Sequence, residues 1–401
     1  AWKIMEEDFM KNQKLFSNAK LRLSYGQTGN NGGGGGLAPL GSQSLLIAGT
    51  TNLGDTPVST FYLSGLANKD LKWERTAEVN IGLDFGFLDN KITGSVDVYN
   101  RKNTDIIFKK EIAAVSGFPQ GAFTNIGEST NRGIEIGLNT TNVDNGNFKW
   151  TTNFNFARNK NTLDKIYGDG KDIFFSINGT NMVHRVGESI GAIYDYEFAG
   201  IWQLDQAAEA ATYGQQPGQV RVTDINKDGK IDPENDRKVL GQVSPKWTGG
   251  ITNTINYKDF DFSFFVNISQ GNMFKSNFHS NYAWGWQDQP QRTFNGYNVN
   301  YWTPENQSND WNQPGNPGPY GAAIQYKDVS FVKVGYMTLG YRLPATVLEK
   351  LKISNLRIYT TVQNPFVFTK YDGWDPESAG RNQFGAAFMS RTFMTGVNLS
   401  F

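Results

Sequence analysis

The stretch EVNIGLDFGFL, residues 78–88, decides the fold. Val79, Ile81, Leu83, Phe85 and Phe87 share one face, while Glu78, Asn80, Asp84 and two glycines share the other. Successive side chains of a strand point to opposite sides, so this alternation marks a β-strand between an apolar and a polar environment. The pattern recurs in both directions along the chain. FKWTTNFNF (148–156) sets Phe148, Trp150, Phe154 and Phe156 against Lys149, Asn153 and Asn155. FDFSFFVNISQ (260–270) aligns Phe260, Phe262, Phe264, Val266 and Ile268, and TFMTGVNLSF (392–401) aligns Phe393, Val397, Leu399 and Phe401. Further strands are expected at 19–28, 91–107, 132–143, 246–257, 328–343 and 353–363, making ten in all. Alternation fails in the upper half of 328–343, as a β-bulge would cause.

The connections fall into two classes. Tight turns occur at DN (89–90), DNGN (144–147) and KD (258–259), and PATVLEKLK (344–352) reads as one short helical turn. They alternate with long connections at 29–73, 108–131, 159–245, 271–327 and 364–390. Compact soluble domains rarely carry structureless loops above about 15 residues. Short and long connections alternating along an up-and-down meander indicate an all-β, antiparallel transmembrane barrel, with short turns in the periplasm and long loops outside. Tyr25, Trp73, Trp150, Trp247, Tyr257 and Tyr341 would form its interfacial girdles. An open sheet of ten strands would leave two edges unpaired in hydrocarbon, so the strands either close a small barrel or form the C-terminal part of a larger one; loops this long would be unusual over ten strands, which favours the fragment.

Composition agrees. Aromatic residues make up 14% of the 401 residues and glycine contributes 44. The formal net charge is zero, which gives no overall electrostatic footprint for nucleic acid or an anionic surface. Cysteine is absent, which excludes disulfides and thiolate chemistry. No apolar run reaches the roughly 18 residues of a transmembrane helix, a criterion that does not bear on barrel strands. The chain opens at Ala1 with neither Met nor a signal peptide, as expected of a mature product or a piece of something longer.

Several segments, taken in order, resemble the SusC/RagA-like TonB-dependent transporters of the bacterial outer membrane. They are LRLSYGQTGN (21–30), LKWERTAEVNIGLDFGFLDNKITGSVDVYNRKNTDII (71–107), TNIGESTNRGIEIGL (124–138), VGESIGAIYDYEFAGIW (186–202), DINKDGKIDPENDRKVLG (224–241), SFVKVGYMTLGYRLP (330–344) and the terminal GVNLSF. The resemblance implies a barrel of about 22 strands with a plugged lumen, of which residues 1–401 would be the C-terminal portion. Plug, TonB box and about twelve strands would precede Ala1. It also implies a SusD-like surface lipoprotein as lid, energy delivered through TonB, and an oligosaccharide or peptide ligand. Phe401 resembles the terminal signal read during barrel assembly.

Within the longest connection, DINKDGKIDPEND (224–236) has the spacing of a calcium loop. Calcium takes six to eight hard oxygens, and an Asp-x-Asn-x-Asp-Gly sequence folds several around one point. Asp224, Asn226 and Asp228 would contribute side chains, Lys230 its carbonyl, Asp232 a water-mediated contact, and Asp236 the closing carboxylate. Position twelve is Asn235 rather than Glu, and no amphipathic helices flank the loop. The expectation is therefore a calcium brace on an external loop, distinct from a sensor. The same loop without metal would be an Asp/Asn/Gly-rich turn.

GESIG (187–191) matches the G-x-S-x-G nucleophile elbow, with Ser189 as nucleophile and His184 or His279 as base. An elbow needs a helix after the serine, whereas AIYDYEF reads as β, so catalysis is not expected. GGGGG (32–36) lacks the Lys-Ser/Thr of a phosphate loop and reads as a loop tip. The 271–327 connection holds Tyr282, Trp284, Trp286, Phe294, Tyr297, Tyr301, Trp302 and Trp311 among amides. Tyr282, Trp284, Trp286, Tyr297, Tyr301 and Trp302 are candidates to stack on ligand; docking of the lid protein would use the same residue types. A secreted, calcium-stabilised, glycan-binding β-sheet module and a serine hydrolase using Ser189 are the competing readings.

Overall fold

The computed structural model describes residues 1–401 apart from 32–41, 64–65, 111–121, 167–169, 277, 280–299 and 379–388. Ten long strands build one antiparallel sheet: β1 (Phe16–Asn30), β2 (Glu74–Phe87), β3 (Ile92–Lys110), β4 (Ala122–Asp144), β5 (Phe148–Lys165), β6 (Trp247–Tyr257), β7 (Phe260–Gln270), β8 (Phe331–Arg342), β9 (Asn355–Thr369) and β10 (Thr392–Ser400). Each pairs with its neighbour in sequence, and a two-residue strand, Trp2–Lys3, adds to the free side of β1. Both the expected strand number and the up-and-down order are found.

The register explains the two faces. Leu21, Leu83, Val96, Ile136 and Phe156 are successive cross-strand partners from β1 to β5. The row continues through Gly249, Ile268, Val332 and Phe368 on β6 to β9. Leu23, Ile81, Val98, Val397 and Leu399 on this face are all exposed. An apolar surface of that extent needs lipid or another apolar partner against it. On the opposite face Arg22 binds Asp84 and Asp97, each with a 2.9 Å contact, and Arg101 binds Glu78 at 2.6 Å. Arg357 holds Asp261 at 2.5 Å, and Lys333 holds Glu377. A Cβ at Gly82 would lie 2.4 Å from Asp97 Oδ1 and 2.6 Å from the Arg22 guanidinium, so this ion pair would have to shift to admit one.

At the tight-turn end, Leu88, Asp89 and Asn90 all have positive φ (52°, 55° and 61°), a strained turn that Asp and Asn tolerate better than most residues. Lys258 (φ 52°) and Gly146 (φ 85°) make the other two turns. Ala345–Leu351 is the expected short helix and ends on Lys352 in the left-handed region. Aromatic pairs line this rim, Phe148 with Tyr257 at 6.5 Å and Phe260 with Tyr341 at 4.7 Å. In β8 the pairing shifts between Val334 and Tyr336 on both sides, which places the bulge at Gly335.

Several boundaries differ from expectation. β3 runs to Lys110 and β4 starts at Ala122, so most of the expected 108–131 loop is paired strand. Above the apolar band neither face needs to be greasy, so alternation lapses while the hydrogen-bond ladder continues. β5 likewise extends to Lys165. Among the described residues, no helix is long and apolar enough to cross a membrane.

Candidate functional site

The 159–245 and 271–327 connections fold together into a head at one end of the sheet. A four-stranded sheet takes Arg237–Gln242, Ala192–Tyr196, Thr180–His184 and Ile173–Ile177, in that order. Beside it, Phe198–Ile201 pairs with Val220–Val222. The head has its own core, in which Ile201, Val220 and Val222 meet Trp302, Trp311, Ala323 and Ile324. Two different connections supply these residues, and polar bonds stitch them. Asn309 Oδ1 accepts from the Ile201 N–H at 2.6 Å, Trp302 Nε1 donates to Gln203 at 3.0 Å, and Gln219 donates to Asn316 at 2.7 Å.

A cavity of about 400 Å³ opens in this head, lined by residues that include Trp202, Glu209, Tyr213, Arg221, Asp224 and Lys227. The Trp202 ring stacks with Tyr213 at 5.8 Å and carries the Arg221 guanidinium over it at 4.7 Å. Glu209 approaches Arg221 at 3.9 Å, and the Tyr213 hydroxyl donates to Asp224 at 3.0 Å. Burial pushes the Asp224 carboxyl up. The Gly229 N–H, the Tyr213 hydroxyl and the Lys227 N–H outweigh that and hold it below the usual carboxylate range. Both charge signs therefore face one small space with an aromatic floor. Sequence reading passed over this cavity, because its residues are spread between 199 and 231 without a recognisable motif.

The loop at 224–236 is a chain of side-chain-to-backbone turns. Asp224 accepts from the N–H groups of Lys227 (2.7 Å) and Gly229 (3.0 Å), and Asp228 from that of Lys230 (2.9 Å). Asn226 bonds to Asp228 at 2.9 Å. Asp232 accepts from Glu234 and Asn235, and the fully buried Asp236 accepts from Ile225 and Asp232, both at 2.8 Å. Among the described residues, no three His, Asp or Glu side chains gather closely enough to hold a metal ion.

Of the aromatic candidates, Tyr282, Trp284, Trp286 and Tyr297 lie outside the described residues. Tyr301 is 39% exposed and remains able to meet a ligand or a partner. Trp302 needs correction: at 3% exposed, with Gly218 packed against its ring, it belongs to the core of the head and presents no face for stacking.

The model of the family described as TonB dependent receptor-like, beta-barrel, matches residues 12–365. The chain belongs to this family. It is 31% identical to TonB-dependent receptor P3 of Formosa agariphila and 30% identical to TonB-dependent receptor SusC of Bacteroides thetaiotaomicron, over all of its length in both cases. It spans 41% and 39% of those relatives, about two-fifths of the curated proteins it matches. Among solved structures, the RagAB peptide transporter superposes with a TM-score of 0.76 at 22% identity, covering all of this chain and 42% of that one. The sheet is thus part of an outer-membrane TonB-dependent receptor barrel. The relatives named are receptors, not enzymes.

The hydrolase motif finds no support in a receptor built this way. Ser189 sits in a turn, its Oγ accepting from the Gly191 N–H at 3.3 Å, and strand Ala192–Tyr196 follows where an elbow needs a helix. A different serine does meet a histidine. Ser276 Oγ lies 2.6 Å from His279 Nδ1 and 2.6 Å from the Tyr371 hydroxyl, and His279 Nε2 lies 2.9 Å from Asp372 Oδ1. Ser276 and His279 are both wholly buried, and Tyr371 and Trp311 crowd the imidazole. The group works as a latch tying the segment after β7 to the one after β9. Burial lowers the His279 pKa against the pull of Asp372 and keeps the ring neutral. Burial raises Asp372, but His279 and Lys327 outweigh it and hold its carboxyl low.

Proposed function

We propose that this chain is the C-terminal barrel portion of an outer-membrane importer, with β1–β10 spanning the membrane and the head facing outside. The observation that carries the reading is a single sheet with one continuous apolar face, one ion-paired polar face, and a packed head at only one end. The polar face would line a water-filled lumen, and the apolar face would meet lipid. The remaining strands, a plug and the TonB box would come from the rest of the receptor, and a SusD-like lipoprotein would close over the head. Import would draw on TonB. For ligand we favour a short peptide over an oligosaccharide. Arg221 and Lys227 suit a carboxylate while Glu209 and Asp224 suit an ammonium, and RagAB carries the description of a peptide transporter. The aromatic segment around Trp284 would contact ligand or lid.

The test is binding of short peptides and of oligosaccharides to the full-length receptor in detergent. Arg221→Ala should weaken peptide binding about tenfold, the loss of one charge-assisted bond. Unchanged peptide affinity, or oligosaccharide binding that Arg221→Ala abolishes, would overturn the choice of ligand. Calcium belongs to the same reading as a brace for 224–236. It is supported by the spacing of Asp224, Asn226 and Asp228 and by the left-handed turn at Gly229 (φ 81°), and opposed by the carboxylates' commitment to backbone N–H groups.

A further inference from the structure

Three cations stand on the apolar face of the sheet. In the register of β4 and β5, Arg132 is opposite Lys160, and Ile134 is opposite Arg158. Ile134 pairs in turn with Val98 and Arg132 with Asn100, while Val98 pairs with Ile81 and Asn100 with Val79. Arg132, Arg158 and Lys160 therefore share the face of Ile81, Val98 and Ile134, and not that of Arg22 and Asp97. Directly opposed side chains lie about 5 Å apart at Cβ, and same-face neighbours along a strand about 7 Å. Three like charges within that span repel one another, yet all three side chains are exposed and none has a carboxylate within ion-pair distance among the described residues. Arg132 is steered only by Asn100, whose Oδ1 accepts from its Nε at 3.2 Å.

Position supplies the second argument. From the tight turn at Phe148, ten residues of β5 at about 3.3 Å each and about 40° tilt climb about 25 Å to Arg158, the height of the apolar band. The cations thus stand at the upper rim of the membrane, where other strands show Tyr25, Trp247, Phe366 and Phe368. One step higher the cations are paired, Lys102 and Lys165 with Glu128 at 2.8 and 3.7 Å. The trio is the layer left unneutralised. A concavity of about 510 Å³ joins it to the band below, lined by Val79, Ile81, Val98 and Ile134 with Arg132, Arg158 and Lys160.

We propose that this groove binds a phosphorylated lipid of the outer leaflet. Arg132, Arg158 and Lys160 hold its phosphate, and Val79, Ile81, Val98 and Ile134 pack along an acyl chain. Cationic side chains attract phosphate by charge, and basic residues at a membrane rim gain from anionic headgroups. The occupant is a lipid rather than a soluble anion because below Asn100 and the three cations the groove continues onto the apolar side chains Val79, Ile81, Val98 and Ile134.

The inference rests on the outer-membrane reading above, and the experiment separates the two. The full-length receptor, purified in zwitterionic detergent, is titrated with diphosphoryl lipid A and with the same lipid stripped of phosphate. Heat-modifiable gel migration reports the barrel. Arg132→Gln/Arg158→Gln/Lys160→Gln should bind diphosphoryl lipid A about tenfold more weakly than wild type, and wild type should lose a similar factor with the stripped lipid. Arg132→Lys/Arg158→Lys should retain most of the affinity. If the triple variant does not fold, Arg158→Gln against Arg158→Lys reads the same dependence on charge. Equal affinity across the variants overturns the lipid site while leaving the barrel standing. Displacement by millimolar inorganic phosphate overturns the lipid in favour of a free anion. A wild-type receptor without heat-modifiable migration overturns the barrel and the lipid site together.

Discussion

Phe264 and Asn267 are three residues apart on β7 and face opposite surroundings. Phe264 pairs with Met337 on the apolar face, whereas Asn267 reaches Glu377 on the polar one. Phe264→Arg should cost about 2–4 kcal/mol at mid-membrane and reduce folded barrel, while Asn267→Arg should be tolerated. Equal yields of heat-modifiable protein for both would show the faces assigned wrongly. His279 gives a prediction with a pH sign. Its folded pKa lies below the ordinary 6.5, so an opened segment binds the proton more readily than the closed one. The latch is therefore at full strength above about pH 6.5 and weakens as pH falls through that value. Asp372, also held low, adds a loss of the same sign at stronger acidity. Amide exchange in 271–276 and around 371–372, corrected for intrinsic rates, should rise between pH 7.5 and 5, and a flat profile would refute the latch. Single residues were the least legible part of the sequence. Trp302 looked like a stacking ring because tryptophan suits both a binding face and a core, and only burial tells them apart. Arg132 lies 26 and 28 positions before Arg158 and Lys160, and a net charge of zero concealed them.

Strands were the most legible part, because a period of two survives wherever one face meets lipid and the other water. EVNIGLDFGFL alone gave the correct face for every residue of β2 that it contains. The extensions of β3 and β4 were missed for the converse reason, since outside the membrane the same ladder carries no alternation. The loop at 224–236 is an element of another kind, set by local bonds. If calcium braces it, terbium should bind with luminescence sensitised by Tyr213, whose hydroxyl touches Asp224. Chelation should then increase proteolysis within 203–245 while the barrel stays folded, and Asp228→Ala should reproduce the nicking in calcium. No terbium signal and identical nicking in chelator and in calcium would leave the loop as a turn held by its Asp–N–H bonds.

For the whole molecule, the sheet ends at β10 on one side and at β1 with Trp2–Lys3 on the other. Unpaired edges cannot remain in hydrocarbon, so residues 1–401 expressed alone should not migrate as a heat-modifiable barrel, whereas the full-length receptor should. Heat-modifiable migration of the 401-residue chain alone would show that these strands close by themselves. The whole was more legible than its parts: alternating connection lengths implied the membrane and the meander before any contact was known. How the loops fold onto one another was not, since 198–222 and 300–325 share a core but no sequence pattern. That shared core has an immunological consequence. With Ile201 and Val220 seated on Trp302 and Trp311, the outermost surface is composed of patches from separate segments, each shaped by the other. Antibodies against linear peptides from either segment should recognise the denatured receptor far better than the native cell surface, and a useful immunogen would have to present both segments folded together.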